Sequence, residues 1–342
     1  MDPAPLDVLV LGAGVSGLAA ARELSRGGLR VAAIDKGRGP GGRMATRRTG
    51  PGPAPARFDH GAQYFTARDP AFAAQAEVWE RAGIARKWSD GFATEAGPFR
   101  RDGEVRWCGV DGMASVARSL GEGLDVRVAT KATAVHAEGG AWSVSLEDGS
   151  RLAARALVAT APVPQTLALL DAGGTVLPAA AWDALDAIEY SPCIAALLRT
   201  DQPSRIPAPG GLWGRGEPLA WIADNRAKGV SRATNPGAEL TIHAGPEFSH
   251  EHFDEPESVV VAHMLDLAAA WIGGAVIDAQ MHRWRYAMAS RVHPERTLVV
   301  AAPAVVAFAG DAFNADATPS PRIETAYLSG LAAAAEVAAR LR

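Results

Sequence analysis

The run Gly12-Ala13-Gly14-Val15-Ser16-Gly17 sits between two unlike stretches, and that placement leaves the chain few folds to adopt. Val8 to Leu11 is short and apolar, as a buried strand is. Leu18 to Ser25 reads as a helix that Gly27 and Gly28 stop. Arg30 to Asp35 reads as a second strand and completes a βαβ start. In such a unit Gly12 permits the tight turn, Gly14 lets the backbone approach a pyrophosphate, and Gly17 lets helix and strand pack closely. The helix N-terminus then faces the phosphate charge. Asp35 ends the second strand where an acid meets a ribose hydroxyl.

A chain of 342 residues, 48% hydrophobic, buries more core than one compact domain usually holds. Its net charge of -4 gives no electrostatic case for nucleic acid, and no protein partner is implied. Cys108 and Cys193 are far apart, so neither a disulfide framework nor a metal site is expected. Lysine is scarce: only Lys36, Lys87, Lys131 and Lys228 occur. The first apolar run lacks a basic flank and is too short for a signal peptide. No stretch reaches the ~18 to 20 apolar residues of a membrane span. Leu328 to Leu341 is interrupted by Glu336 and Arg340. The expectation is a cytoplasmic protein with no membrane contact.

Further along, Thr46 to Arg57 is rich in Gly, Pro and Arg and reads as a loop. Pro70 to Ala82 has helical spacing, with Phe72, Ala76 and Trp79 on one face, and Met113 to Leu120 is a second short helix. Val126 to Val128, Trp142 to Leu146 and Leu152 to Leu157 read as strands, the last two joined by an Asp148-Gly149 turn. Between about Gln165 and Val292 the character changes. Strands such as Ile194 to Leu198, Leu219 to Ala223 and Leu240 to Ala244 mix with helical segments, the clearest being Ser258 to Ile272. Val305 to Ala309 returns to a buried parallel-type strand ending at Gly310-Asp311, and Thr325 to Leu341 is a last helix. The predicted class is α/β. A Rossmann-like two-dinucleotide-binding domain (residues 1–75, 105–165 and 293–342) carries an inserted, mixed α+β substrate domain (76–104 and 166–292).

NAD and FAD share the first fingerprint, so other signals decide between them. Gly39-Pro40-Gly41-Gly42-Arg43, directly after Asp35, resembles flavoproteins of the amine oxidase superfamily. Ala307-Phe308-Ala309-Gly310-Asp311 resembles the late motif of the same superfamily. Asp35-Lys36-Gly37-Arg38, Phe58-Asp59-His60-Gly61-Ala62-Gln63-Tyr64-Phe65-Thr66 and His282-Arg283-Trp284-Arg285-Tyr286-Ala287 narrow the resemblance to the bacterial branch of the renalase family. It is spread over nearly the whole chain. It implies FAD, held non-covalently because neither cysteine lies near the late motif. Carried over, it places Ser16, Asp35, Lys36, Gly42, Arg43 and the Ala62-Gln63 pair at FAD, with Val135 touching the adenine side by backbone. Asp311 would bind the ribityl chain, and Ile323 would offer its N–H to the pyrimidine. The connection between them, with Asn314, Asp316, Pro319 and Pro321, is long and polar.

The resemblance also implies a reaction. Dihydro isomers of NAD(P), reduced at ring position 2 or 6, give a hydride to flavin N5, and O2 reoxidises the flavin to give hydrogen peroxide. No strong base is needed, because the ring loses no acidic proton. His243, Trp284, Arg285 and Tyr286 are candidates for the substrate side. Each has a plain alternative: a satisfied core histidine, two alternating core aromatics and a surface arginine. His60 reads first as a residue that bonds its own loop. No lysine follows Lys228, so the C-terminal third offers none near N5. An amine oxidase or desaturase on the same fold stays open, as does a non-catalytic FAD-binding redox module.

Overall fold

A computed structural model describes residues 6–50, 55–233, 236–316 and 322–342. The chain divides into two compact units. One takes residues through Gly42, Ala117–Glu189 and the chain from Ala289 onward; the other takes Arg43–Val116 and Tyr190–Met288. Residues 43–75 and 105–116, read from the sequence with the dinucleotide-binding domain, are in the second unit.

In the first unit, Leu6–Leu11 lies between Val31–Ile34 and Arg151–Ala159, parallel to both. Asp125–Arg127 and Val305–Phe308 extend this sheet in parallel on its two sides. Val8, Val10, Ala156, Val158 and Ala307 form a continuous apolar layer, as strands covered on both faces do. Against them pack Ala20, Ala21 and Leu24 of the helix Val15–Arg26, and Ala333, Ala334 and Val337 of the helix Ile323–Leu341. The two helices are close because Gly330 has no side chain: a Cβ there would collide with the Ser16 carbonyl. The last strand and helix of this sheet thus come from the C-terminus, as the sequence predicted.

The second unit is built on a seven-stranded sheet in the order Val276–Arg291, Glu189–Thr200, Glu239–Ala244, Leu219–Asp224, Gly211–Trp213, Ala85–Thr94, Gly97–Gly109. Period-two alternation gives it two different faces. Ile194, Ala196, Leu198, Leu240, Ile242 and Ile222 pack with Val260, Met264 and Ala268 of the helix Glu257–Ala268. Glu239, Thr241 and His243 alternate with that core set along Glu239–Ala244, and this second set carries the polar chemistry described below.

Two local expectations change, and one hairpin was not anticipated. Thr46 to Arg57 is not wholly loop: Thr46–Thr49 pairs antiparallel with Ala56–Asp59, while residues 51–54 lie outside the described set. Ala56 and Phe58 earn that strand its place by packing on Leu197. The hairpin of Ala85–Thr94 and Gly97–Gly109 has no clean apolar alternation; its second strand is exposed over much of its length and is held by backbone pairing. The helix expected to Ile272 stops at Ala268, short of Gly273-Gly274. Among the described residues, no helix is long and apolar enough to cross a membrane.

Candidate functional site

The glycine-rich turn of the first unit is shaped as its sequence requires. Gly12 has φ +110°, a conformation that favours glycine, and the Thr160 hydroxyl bonds the Leu11 and Gly12 carbonyls beneath it at 3.1 and 3.2 Å. A Cβ on Gly17 would run into the Gly12 carbonyl. Above Gly14 there is open space, where a Cβ would meet nothing within 4 Å. Gly41 donates its N–H to the Ala13 carbonyl at 2.8 Å, which brings the second glycine run beside the first. Asp35 braces both turns: one carboxylate oxygen accepts from Ala13 N–H at 2.8 Å, the other from Gly37 N–H at 2.6 Å. A carboxylate has about four lone-pair sites, so it still has capacity for a ribose hydroxyl. Lys36 reaches Gln165 at 3.3 Å.

At the other end, Gly310 donates to the buried Ser329 hydroxyl at 2.9 Å, fixing the turn that presents buried Asp311. Ile323 is the first residue of its helix, where N–H groups have no partner within the helix. Pro319 and Pro321 of the intervening connection lie outside the described residues. Val135 is fully buried in the strand Ala132–Glu138, with its carbonyl accepting from Thr175 at 2.7 Å. Among the described residues the buried Ser16 hydroxyl has no hydrogen-bond partner. An orphaned hydroxyl at a helix N-terminus, beside open space over Gly14, fits a bound phosphate group.

Arg43, Ala62 and Gln63 belong to the second unit. Ala62 donates to the Arg43 carbonyl at 2.8 Å, and Arg43 reaches the Ala287 carbonyl at 3.1 Å. The loop Asp59 to Gln63 is anchored through Asp59, which is wholly buried. One of its oxygens accepts from the Thr46 hydroxyl (2.6 Å) and Met113 N–H (2.8 Å), the other from Lys228 Nζ (2.7 Å). Lys228 is equally buried, also bonds the Gln63 carbonyl, and lies 4.9 Å from the Trp88 ring centre. Asn225 accepts from Asp59 N–H at 3.0 Å, and Thr241 donates to the Asp59 carbonyl at 3.0 Å. Gln63 donates to the Asp59 and Gly61 carbonyls, which leaves its buried side-chain oxygen without a partner among the described residues. Lys228, notable in the sequence only as the last lysine, is the counter-ion of the loop.

Two of the four predicted substrate-side residues meet at one atom. His243 Nε2 and Trp284 Nε1 both donate to the His60 carbonyl, at 3.2 and 2.8 Å. The His60 ring stacks on Trp284 at 5.3 Å and meets His282 edge-on at 4.9 Å. His282 in turn lies edge-on to Trp284 at 4.3 Å. Tyr286 packs instead on Tyr190 at 5.6 Å. Arg285 does not join them, since strand alternation turns it to the other side. It lies over Phe253 at 4.4 Å and pairs with Asp254 at 3.7 Å, largely exposed. His282, not among the predicted substrate residues, is two residues from Trp284 and therefore on its face of the strand.

Burial holds all three imidazoles uncharged: the pKa is lowered to about 3 for His60, and to about 4 for His243 and His282. Arg47 and, for His60, neighbouring histidines add to the effect. The unfolded chain takes up protons near pH 6.5 that the folded chain refuses, so stability present above that pH is lost as pH falls from 6.5 toward 4. Each deeply buried histidine contributes a slope of up to about 1.4 kcal/mol per pH unit, and partly exposed His282 less. Urea midpoints measured between pH 7 and 4.5 should fall accordingly, and should fall less steeply in His243→Gln.

A second aromatic group surrounds Tyr64, whose ring lies 5.8 Å from both Phe92 and Trp221, 6.1 Å from Trp213 and 6.3 Å from Trp88. Burial pushes the Tyr64 hydroxyl up to about 12. Arg106 lies 5.8 Å from its ring and is clamped by the Asp102 carboxylate. These residues come from four strands and one loop, so no spacing in the sequence brings them together.

A glycine turn with room for a phosphate group, on a parallel sheet, fits a dinucleotide cofactor, and the family match makes this an FAD-dependent oxidoreductase. The chain belongs to the flavin-containing amine oxidoreductase family, which matches residues 81–338; an NAD(P)-binding Rossmann-like domain matches residues 10–79. Among solved structures it is similar to wild-type putrescine oxidase bound to putrescine, with 16% identity, TM-score 0.69, and 98% of this chain and 99% of that one covered. It is similar also to cyclohexylamine oxidase from Brevibacterium oxydans, with 14% identity, TM-score 0.67 and the same coverage. At such identity the likeness is one of fold.

Proposed function

We propose that this oxidoreductase oxidises dihydro isomers of NAD(P), reduced at ring position 2 or 6, as a renalase-like enzyme of the bacterial branch. The balance is dihydro-NAD(P) plus O2 plus one proton, giving oxidised NAD(P) and H2O2. Bound FAD supplies the acceptor for the hydride and the route of its two electrons to O2. What the chain supplies is position.

The observation that carries this reading is the neutral group of His60, His243, His282 and Trp284. It offers an uncharged, flat surface with a free N–H donor on His282, suited to a dihydropyridine ring and its carboxamide. It offers no available amine base, because Lys228 is committed to Asp59. Oxidising a dihydropyridine requires none. The Asp59 to Tyr64 run, the most specific part of the renalase resemblance, is the loop this group is built around. The cysteines support a non-covalent cofactor: both are buried thiols, and Cys193 is turned to the Ile194 and Ala244 carbonyls. Free thiols also suit a cytoplasmic setting.

Oxidation of an amine is the second reading. The aromatic group around Tyr64 favours it, as does the likeness in fold to putrescine and cyclohexylamine oxidases. Oxygen uptake separates the two. The isomer mixture should consume O2 and form H2O2 in equal amounts, while ordinary 4-dihydro NADH and amines should act at least about tenfold more slowly, a barrier difference of about 1.4 kcal/mol. Uptake driven by amines and not by the isomers would move the protein to the second reading.

A further inference from the structure

We infer that His282 is a hydrogen-bond donor, through Nε2, to the carboxamide oxygen of the substrate ring, and that Arg47 is the positioning residue that fixes its tautomer. The choice of a carboxamide rests on the proposed function; the tautomer does not. Arg47 Nη2 lies 3.2 Å from His282 Nδ1. A guanidinium has donors only, so Nδ1 must accept and the imidazole proton sits on Nε2. Arg47 is itself steadied by the Gln280 side chain at 3.4 Å, one strand alternation away from His282. Among the described residues Nε2 of His282 has no hydrogen-bond partner, and the ring is only partly buried.

The neighbourhood selects what Nε2 can bind. The indole of Trp284 lies 4.3 Å away, centre to centre, and makes a flat apolar wall. Burial and the charge of Arg47 keep the imidazole neutral. A neutral donor on an aromatic wall favours a carbonyl oxygen on a planar ring. Next to the Arg47 charge, it disfavours an ammonium group. His243 and Trp284, predicted as substrate residues, have their N–H groups occupied by the His60 carbonyl. Among the described residues His60 Nδ1 also has no partner but is buried, so the N–H of this cluster open to a ligand is that of partly buried His282.

Selective labelling of the histidines with 15N tests the device on the holoenzyme. His282 should show the Nε2–H tautomer in the wild type and a mixture of tautomers in Arg47→Met. Free nicotinamide, the carboxamide ring alone, should shift the His282 Nε2 signal, and pyridine should not. The Kd of the dihydro isomers, from anaerobic flavin reduction, should rise about tenfold in His282→Phe and recover most of that loss in His282→Gln. A wild-type Nδ1–H tautomer, or equal shifts from nicotinamide and pyridine, would overturn the inference. If the nicotinamide shift is present but no dihydro isomer reduces the flavin, the substrate reading has failed and the donor assignment stands.

Discussion

Lys228→Met is expected to lower the stability of the protein by about 3–5 kcal/mol, much of what a domain of this kind has. The cause is the group left behind. Asp59 and Lys228 are both wholly buried, 2.7 Å apart, so removing the cation leaves a carboxylate in the interior without its counter-charge. Met113 N–H and the Thr46 hydroxyl still bond the other oxygen and cannot neutralise it. The Gln63 peptide loses its Nζ contact at the same time, so the Asp59 to Gln63 loop loosens. A urea titration of the holoenzyme reads the loss directly. The pair Lys228→Met with Asp59→Asn should recover part of it, because the buried charge goes with its partner. A single variant as stable as the wild type would mean that the ion pair does not hold the loop.

Gly17→Val should give a colourless protein. The Cβ of any residue at 17 falls on the Gly12 carbonyl, which is backbone and is itself pinned by Thr160. The turn and the first helical turn must separate, and the N–H groups that face a phosphate move with them. We expect FAD occupancy, from the ratio of flavin to protein absorbance, to fall by more than about tenfold, a modest 1.4 kcal/mol in affinity. Far-ultraviolet circular dichroism should keep its shape, since the parallel sheet is built from other residues. Full FAD occupancy in this variant would remove the phosphate cradle from the glycine turn.

The first βαβ unit was legible because its signals are local: an apolar run, a glycine turn, a helix and an acid within 35 residues. The C-terminal return was legible for the same reason, as a strand ending in Gly310-Asp311 before a long helix. The hairpin of Ala85–Thr94 and Gly97–Gly109 was not, because backbone pairing rather than an apolar pattern holds it. The polar site was partly visible. Trp284 and His243 could be named from their strands, yet their shared partner, the His60 carbonyl, is about 180 to 220 residues distant in sequence. Lys228 and Asp59 are a pair only because the chain brings positions 169 residues apart together. His282 was within reach: period-two alternation puts it on the face of Trp284.

The central claim is the identity of the reducing substrate, and anaerobic mixing addresses it directly. The yellow holoenzyme should bleach rapidly with partially reduced NAD that contains the 2- and 6-dihydro isomers, and recolour with release of H2O2 when O2 is admitted. Ordinary 4-dihydro NADH and amines should leave the flavin oxidised on that timescale. Bleaching by an amine, with the isomers inert, would contradict the account and assign the site to amine oxidation.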